Sequence, residues 1–265
     1  MITTRQALTE LTKYSTENRV AYITINRPEK RNALNPALVE ELTDQFLRAG
    51  HDNDAKVVVL KAAGEVFSAG ADLEYLQQLQ NNSSQDDLED TIAIKELLWN
   101  IYTLPKLVVA QVEGHAIAGG CGLAAVCDVV YAVPESKFGY TEVRIGFIPA
   151  LVSCFLVRKL GEGRAKELLL SGDLIDAATA SSYGLINFVT EKSEIASSVR
   201  NYAERMAVSA SGQSVALTKQ LLHTAQNLNL EESLEAAIKL NVQTRSSEDC
   251  KKGIASFLNK EKLGW

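Results

Sequence analysis

The most informative segment of this 265-residue chain is Gly114-His115-Ala116-Ile117-Ala118-Gly119-Gly120-Cys121-Gly122-Leu123-Ala124-Ala125. It follows the apolar run Leu107 to Val112, which is typical of a buried strand. The small and apolar residues from Leu123 to Val126 continue without a breaker, which predicts a tightly packed helix. The first N–H groups of such a helix have no intrahelical partner, so this strand–turn–helix order can stabilise negative charge at the turn.

Three interpretations of this turn are open from its residues alone. The glycines allow close helix–sheet packing, hold a dinucleotide, or form half of an oxyanion hole. The pattern Gly120-x-Gly122-x-x-Ala125, with Glu142 about 20 residues on, formally matches a dinucleotide fingerprint. That fingerprint needs its acid at the end of the second strand, whereas Glu142 lies beyond the strand Asp128 to Val133 and its following turn. An oxyanion hole needs a second donor from elsewhere in the chain.

A second glycine turn can supply that donor. The apolar run between Lys56 and Lys61 predicts a short buried strand, and the turn Ala63 to Leu73 leads from it into a helical pattern over 74–79. Gly70 and Ala71 lie at the end of this turn, where N–H groups are expected to be free. Two such turns could direct two backbone donors at one oxygen, which is the geometry of an oxyanion hole.

Composition and charge restrict the class of protein. Hydrophobic residues make up 46% and charged residues 23%, as is ordinary for a globular protein with a sizeable core. The net charge of −6 argues against a nucleic-acid-binding surface, and no apolar run is long enough for a membrane span. Met1 to Lys13 is polar, so we expect no secretion signal and a cytoplasmic location. Neither the four cysteines nor the three histidines have metal-ligand spacing, so we expect no metal site.

The remaining pattern alternates between strands and helices before it becomes helical. Val20 to Asn26 predicts a strand, and Asn35-Pro36 predicts the start of a helix that ends near Gly50. The polar segment 81–87 interrupts the helical spacing, which predicts a mobile loop. From Pro149 onward, helical patterns predominate, with a short strand from Leu185 to Val189.

Several motifs, in this order along nearly the whole chain, resemble those of the crotonase (enoyl-CoA hydratase/isomerase) superfamily. They are Asn26-Arg27-Pro28, Asn32-Ala33-Leu34, Phe67-Ser68-Ala69-Gly70-Ala71-Asp72-Leu73, Gly119-Gly120-Cys121-Gly122-Leu123-Ala124 and Phe138-Gly139-Tyr140-Thr141-Glu142-Val143-Arg144-Ile145-Gly146. No single motif is specific, but their joint occurrence is. The dinucleotide and packing-only interpretations therefore lose most of their support.

The resemblance implies an α/β fold, a spiral of repeated β-β-α units followed by a C-terminal α-helical trimerisation region. We expect the spiral core and its acyl-CoA site over residues 1–205 and the helical region over 206–265. The family assembles as homo-trimers, often paired into dimers of trimers. The resemblance also implies that the N–H groups of Ala71 and Gly119 hold the thioester oxygen of an acyl-CoA. Coenzyme A is part of that substrate, so no separate cofactor is expected.

The proton-transfer group follows from the same resemblance. Family hydratases commonly use two glutamates, one just after the second glycine turn and one after the next strand. Glu142 matches the second position, and Gly122, which cannot transfer a proton, occupies the first. A carboxylate in a half-apolar pocket has a raised pKa and is a usable base or acid near neutral pH. We therefore predict Glu142 as the single catalytic carboxylate.

The predicted substrate contacts surround these groups. The basic residues after the first strand either form a solvated turn or contact ligand phosphates. Near the end of the chain, an aromatic and a lysine resemble residues that hold coenzyme A in the family. The complete set of predicted substrate-binding residues is Arg27, Lys30, Ala69, Asp72, Leu73, Gly120, Gly122, Arg144, Phe257 and Lys260.

The residues after Glu142 resemble the methylglutaconyl-CoA hydratase branch, because Ala150-Leu151-Val152 replaces a glycine-rich turn found in most other members. The substrate of that branch, in leucine degradation, carries a distal carboxylate, for which Arg144 is a candidate partner by its position in the sequence; a structural salt bridge is an equal alternative. Hydration of a 2-enoyl-CoA is thus our first prediction. A single glutamate also suits a double-bond isomerase or a decarboxylase, and a non-catalytic acyl-CoA-binding homologue is the third alternative.

Overall fold

The computed structural model describes residues 10–265, in which long parallel strands alternate with short strands and helices. The strands are β1 (Thr12–Glu17), β2 (Val20–Ile25), β3 (Val57–Ala62), β4 (Leu107–Val112), β5 (Ala116–Ile117), β6 (Val129–Ala132), β7 (Lys137–Gly139), β8 (Ile175–Asp176) and β9 (Phe188–Val189). The helices are α1 (Pro36–His51), α2 (Leu73–Leu79), α3 (Ser84–Thr103), α4 (Gly119–Val126), α5 (Ala150–Leu160), α6 (Glu162–Ser171), α7 (Ala177–Tyr183), α8 (Ile195–Ser209), α9 (Gly212–Ala225), α10 (Leu230–Arg245) and α11 (Glu248–Leu258). Short 3-10 helices occupy Pro28–Lys30 and Glu142–Ile145.

The main sheet has the strand order β1-β2-β3-β4-β6-β9. β1 pairs antiparallel with β2, and every later pair is parallel. The register aligns Val20 with Val57 and Val57 with Leu107. The apolar run of β3 is buried over all four residues from Val57 to Leu60, as is typical of a parallel strand that is covered on both faces.

A second, shorter set of paired strands is formed by the segments that follow the strands of the main sheet. β5, β7 and β8 form a three-stranded sheet, and isolated parallel bridges join Leu34 to Ala71 and Ser68 to Ala116. Each of β2, β3, β4 and β6 is thus followed by a short extended segment and then by a helix, which in the case of β6 is the 3-10 helix Glu142–Ile145. This stacking is the spiral of β-β-α units that the resemblance implied, and the fold prediction is confirmed.

Helices cover both faces of the main sheet. The larger core holds buried side chains of α1, α3 and α4, among them Phe46, Leu98 and Leu123. On the opposite face, Val199 and Ala203 of α8 pack with valines of β3 and β4. The predicted division at residue 205 falls inside this helix, and the division itself stays a prediction.

Two local predictions differ from the structure. The segment 81–87 was expected to be a mobile loop, but α3 begins at Ser84. Ser83 and Asp86 form a capping box, so the polar residues that interrupt the apolar spacing are those that start the next helix. β1 was not predicted, because it is a mostly exposed strand at the sheet edge whose polar sequence lacks an apolar face.

The helices α9, α10 and α11 contain no fully buried residue in the described chain. Large apolar side chains on them are instead exposed, namely Leu222, Leu230, Leu234, Ile238, Val242, Ile254, Phe257 and Leu258. Among residues 10–265, none of the helices is both long enough and apolar enough to cross a bilayer.

Candidate active site

The two glycine turns contact each other directly. Gly70 has a φ of 90°, which favours glycine, and a Cβ atom there would lie 2.9 Å from Ala118 Cβ and 3.2 Å from the Ile117 carbonyl oxygen. On the other turn, a Cβ atom at Gly120 would lie 2.5 Å from Ser68 Cβ. The glycines therefore let the chain after β3 and the start of α4 approach more closely than side chains would permit.

Ala118 orients the start of α4. Its backbone adopts φ 51° and ψ −123°, a conformation that L-residues rarely adopt and that costs on the order of 1–3 kcal/mol. The Ala118 N–H donates to the Gly139 carbonyl at 2.8 Å, which ties the turn to β7. The surrounding strands thus hold a strained residue immediately before the helix, and strain of this kind is concentrated at functional sites.

The backbone N–H groups of Ala71 and Gly119 are left without a partner in the described chain. The Leu34 N–H donates to Gly70 at 2.7 Å and the Asp72 N–H donates to Leu34 at 2.8 Å, whereas the Ala71 N–H makes no such bond. Gly119 is the first residue of α4, where an N–H has no intrahelical acceptor. Both residues line the same cavity, so both donors are available to a ligand there.

This cavity has a volume of about 310 Å³ and a mainly apolar wall. Its interior is formed by side chains from α1, α2, α3, α5 and the segment between β7 and α5. The apolar residues of the wall include Leu34, Leu76, Ile94, Phe147, Ile148 and Val152. The charged residues that line it, within the described chain, are the acids Asp90 and Glu142.

Glu142 begins the 3-10 helix that follows β7, and its side chain faces this cavity. Its Oε2 atom is buried and has no hydrogen-bond partner among the described residues. Burial raises the pKa of the Glu142 carboxyl. The predicted carboxylate and the two predicted amide donors therefore line one cavity, and the carboxylate has an unused buried oxygen.

Gly122 faces a side chain that the sequence did not identify. A Cβ atom at Gly122 would lie 2.4 Å from Cγ1 of Val152, which is 7% exposed and lines the cavity. The space next to Gly122 is therefore filled by an apolar side chain of α5. The two residues are 30 positions apart, so their contact follows from the tertiary fold and leaves no signal in local spacing.

Polar residues of the cavity wall were also missed. Tyr75, Asn35 and Thr141 line the cavity. The Tyr75 hydroxyl is buried without a hydrogen-bond partner in the described residues, and burial and the nearby Asp90 raise its pKa. An aromatic residue in a helical pattern predicts packing as readily as ligand contact, so the sequence alone could not distinguish the two.

Of the other predicted contacts, Gly120 and Gly122 do not line the cavity. Ala69 and Leu73 line the cavity. Arg27 and Asp72 instead form a buried ion pair at 2.5 Å, and Asp72 also caps α2 through the N–H groups of Glu74 and Tyr75. The pair holds the turn after β3 in place. The geometry therefore assigns it a structural role and gives no support for a phosphate contact.

The remaining cations and the C-terminal contacts lie outside the cavity wall. Lys30 pairs with Glu74 at 2.5 Å, and Arg144 pairs with Asp173 at 2.5 Å, both on exposed surface. This ion pair corresponds to the structural salt bridge that we gave as the alternative to a substrate contact for Arg144. Phe257 is 83% exposed on α11 and Lys260 follows that helix, so a contact of either with the ligand stays a prediction.

No group of three or more His, Cys, Asp or Glu residues in the described chain is arranged to hold a metal ion. Two of the cysteines, Cys121 and Cys127, are buried thiols, and burial raises the pKa of each to about 12. They are therefore unreactive core residues. The chemistry available in the cavity is that of two amide donors and carboxylate groups.

Comparison with known proteins identifies the family of this chain. The family model described as "Enoyl-CoA hydratase/isomerase" matches residues 15–265. The chain therefore belongs to the enoyl-CoA hydratase/isomerase family, the crotonase superfamily, and is an enzyme of that family.

Similar proteins support the same assignment. A Thermus thermophilus protein whose name assigns it to the enoyl-CoA hydratases is 38% identical over 92% of this chain and 96% of its own. The (E)-benzylidenesuccinyl-CoA hydratase of Thauera aromatica is 34% identical over 91% and 93%. The 2,3-dehydroadipyl-CoA hydratase of Escherichia coli is 32% identical over 93% and 94%. The crystal structure of a Mycobacterium smegmatis enoyl-CoA hydratase superimposes with a TM-score of 0.91 at 26% identity, covering 97% of this chain and 99% of that one.

Proposed function

We propose that this enzyme adds water across the double bond of a 2-enoyl-CoA thioester through an enolate held by two backbone amides. One observation carries the proposal: the unused N–H groups of Ala71 and Gly119 line the same cavity as the partly buried carboxyl of Glu142. The apolar wall of that cavity suits an acyl chain. Enoyl-CoA hydratase activity also agrees with the family to which the chain belongs.

The amides act on the charge that develops during the reaction. When water adds to Cβ, electron density moves through the double bond to the thioester oxygen and forms an enolate. Two fixed N–H donors stabilise this oxygen more strongly than the neutral carbonyl of the bound substrate, so they lower the barrier. Removal of one donor of this kind typically costs about 10²–10³ in rate.

Glu142 moves the protons. Its carboxylate takes a proton from the attacking water as the oxygen bonds to Cβ, and it then delivers a proton to Cα as the enolate collapses. A single carboxylate can perform both transfers, because both carbons are adjacent and the addition is on one face. The raised pKa of Glu142 suits this double role, since a base of that kind is also a usable acid near neutral pH.

The acyl group is a further proposal, for which 3-methylglutaconyl-CoA is our candidate. The names of two relatives, the benzylidenesuccinyl-CoA and dehydroadipyl-CoA hydratases, denote acyl groups of dicarboxylic acids. Arg144, bound to Asp173, does not line the cavity, so the uncharged donors Tyr75, Thr141 and Asn35 are the groups available to a distal carboxylate. The negative charge of Asp90 beside Tyr75 would repel the distal carboxylate of this substrate, so its turnover is a stringent test of the proposed acyl group.

A double-bond isomerase is the second candidate, and the single carboxylate favours it. A 1,3-proton shift needs one base that removes a proton from one carbon and returns it to another. Glu142 with the two amides would suffice for that reaction. The two candidates share the same enolate and differ in whether a water molecule takes part.

A panel of acyl-CoA thioesters, analysed by mass spectrometry and chromatography, separates these reactions. We expect crotonyl-CoA or 3-methylglutaconyl-CoA to gain the mass of one water. A 3-enoyl-CoA that changes only its double-bond position would favour the isomerase, and loss of carbon dioxide from a malonyl-type thioester would indicate a decarboxylase. Acyl-CoA binding without turnover of any thioester would leave only the non-catalytic alternative.

Substitution of the carboxylate tests the assigned role. We expect Glu142→Gln to lower turnover by about 10²-fold or more, because the amide cannot accept the proton from water. Binding of the acyl-CoA, measured by calorimetry, should be nearly unchanged. Unchanged turnover in this variant would mean that another residue moves the protons.

We also propose that the chain assembles as a homo-trimer, alone or as a dimer of trimers. The support is the set of exposed apolar side chains on α9, α10 and α11, which a single chain leaves in contact with water. Leu234, Ile238 and Val242 recur every four residues along one face of α10 and line a groove of about 730 Å³ beside α9. Apolar surface of this extent usually marks a protein interface.

A further inference from the structure

The space beside Gly122 is too small for the side chain of any other residue. Val152 occupies the space into which a side chain at position 122 would extend. A Cβ atom at Gly122 would lie 2.4 Å from Val152 Cγ1. Val152 Cβ lies 3.4 Å from the same point, which is ordinary contact. The obstacle is thus the isopropyl group of one side chain, and no described backbone atom outside α4 lies within 4 Å of this position.

Val152 is also part of the cavity wall. It is 7% exposed and lines the cavity together with Glu142, Ala71 and Gly119. A side chain at position 122 could therefore reach the cavity only by taking the place of Val152. In the native chain this part of the wall is apolar, and it presents no group that could bind or deprotonate water.

We propose that Val152 is a specificity-determining residue, which fills the space beside Gly122 and keeps a second proton-transfer group out of this part of the cavity wall, so that hydration depends on Glu142. The inference rests on the proposed hydration of a 2-enoyl-CoA and adds a residue to it. The physical reason is that an apolar side chain excludes a second carboxylate and its associated water from this wall. The attacking water then has no polar partner on this part of the wall and depends on Glu142.

The substitutions that test this inference follow from the two distances. Val152→Ala removes Cγ1 and leaves Cβ in ordinary contact, so it should create room for a side chain at position 122. Gly122→Glu alone should conflict with Val152, whereas Gly122→Glu with Val152→Ala should place a second carboxylate in the cavity. Val199→Ala is the matched control, because Val199 is a buried helical valine in the other core, away from the cavity.

The decisive measurement is the factor by which Glu142→Gln lowers the hydration rate in each background. In the native background, we expect Glu142→Gln to lower hydration by about 10²-fold or more. In the Gly122→Glu, Val152→Ala background the same substitution should cost about tenfold or less, because the second carboxylate takes over part of the proton transfer. Gly122→Glu alone and Val199→Ala should keep the full dependence on Glu142.

Two results would overturn the inference. The first is equal rescue by Gly122→Glu with Val152 intact, since Val152 would then exclude nothing. The second is a folded double variant that binds acyl-CoA normally and still depends on Glu142 as strongly as the native enzyme. A thermal unfolding series guards against misfolding: Gly122→Ala should lower the melting temperature, and adding Val152→Ala should recover part of that loss.

Failure of the proposed function is a separate result. If the native enzyme hydrates none of the thioesters in the panel, the proposed function fails and this inference fails with it. If the native enzyme hydrates a thioester but the variants behave as in either contradicting result, only the role of Val152 is lost.

Discussion

Glu142 has a carboxyl oxygen that no described residue stabilises with a hydrogen bond. Its Oε2 atom is buried without a partner in the described chain, and a buried polar atom of this kind typically costs about 1–3 kcal/mol. The nearest cation expected from the sequence, Arg144, is bound to Asp173 on the surface. The cavity in which we propose that the substrate binds therefore retains a carboxyl without an ion-pair partner, and such an environment produces a base with a raised pKa.

The pH dependence of turnover should reflect this environment. Glu142 must be deprotonated to accept the proton from water, so we expect kcat/KM to fall as the pH decreases through its raised pKa. The acid limb should lie at higher pH than the ordinary glutamate value, because burial favours the neutral form. Steady-state rates of crotonyl-CoA hydration between pH 4 and 9 measure this limb. An acid limb at or below the ordinary value would contradict the assignment.

The same carboxyl should affect stability with a defined sign. A carboxyl whose pKa is raised in the folded state favours the folded state when protonated, and this contribution is lost as the pH rises through the folded pKa. We expect Glu142→Gln to have a higher melting temperature than the native enzyme at pH 8. The difference should vanish below the pKa of an unfolded glutamate, where both side chains are neutral. Equal melting temperatures at pH 8 would mean that the carboxylate is not destabilised in the fold.

The structure brings some of the predicted site residues together and gives others different partners. Ala71, Gly119 and Glu142 were predicted and line one cavity. Arg27 and Asp72 were predicted as substrate contacts, but they pair with each other. A charged residue next to a motif is equally consistent with both roles in a sequence, and burial decides between them only in the fold.

At the scale of elements, the two glycine turns form one unit. Gly70 packs against Ala118, and Gly120 packs against Ser68, so a glycine in each turn allows the other turn to approach closely. The parallel bridge between Ser68 and Ala116 fixes their relative register. Both free amides depend on this packing, since either turn alone presents only one donor to the cavity.

Enlarging one glycine should separate the turns. A Cβ atom at Gly120 would lie 2.7 Å from the Ser68 carbonyl oxygen, so we expect Gly120→Ala to destabilise the fold by about 1–3 kcal/mol and to lower turnover. Denaturant unfolding and crotonyl-CoA hydration measure the two effects. Gly163→Ala is the control, because open space surrounds Gly163 in α6, and it should be neutral or stabilise by up to about 1 kcal/mol. Full stability and activity in Gly120→Ala would contradict the close packing of the turns.

Most elements could be predicted from local patterns, and the exceptions have physical causes. Asn35 and Pro36 start α1 as expected, with the Asn35 side chain accepting from the Leu38 N–H. β1 is held mainly by pairing with β2, which a polar sequence does not reveal. The contact between Gly122 and Val152 joins two helices and was likewise beyond local spacing.

At the scale of the whole molecule, two faces of the chain differ in what covers them. α8 buries one face of the main sheet with Ile195, Val199 and Ala203, whereas α10 leaves Ile238 and Val242 about three-fifths exposed at 62% and 61%. A single sequence reports the apolar spacing of both helices in the same way. Which one packs within the chain and which one stays exposed depends on the tertiary fold.

The proposed assembly predicts a change of mass when this face is made polar. We expect the native enzyme to be a trimer or a hexamer by size-exclusion chromatography with light scattering. Ile238→Asp with Val242→Asp should dissociate it, because buried unpaired carboxylates are costly at an interface. Leu170→Asp is a matched control, since Leu170 is 72% exposed on α6, outside this face. A native enzyme that is monomeric in solution would contradict the proposal.

The central claim is that one thioester oxygen accepts hydrogen bonds from the Ala71 and Gly119 amides while the side chain at position 142 faces the adjacent carbons. A crystal structure of the Glu142→Gln variant with a bound 2-enoyl-CoA tests it most directly, because this variant should bind the substrate without converting it. We expect the thioester oxygen about 2.7–3.1 Å from both amide nitrogens. An acyl group bound with that oxygen near neither amide, or with position 142 turned away from Cα and Cβ, would contradict the proposed chemistry.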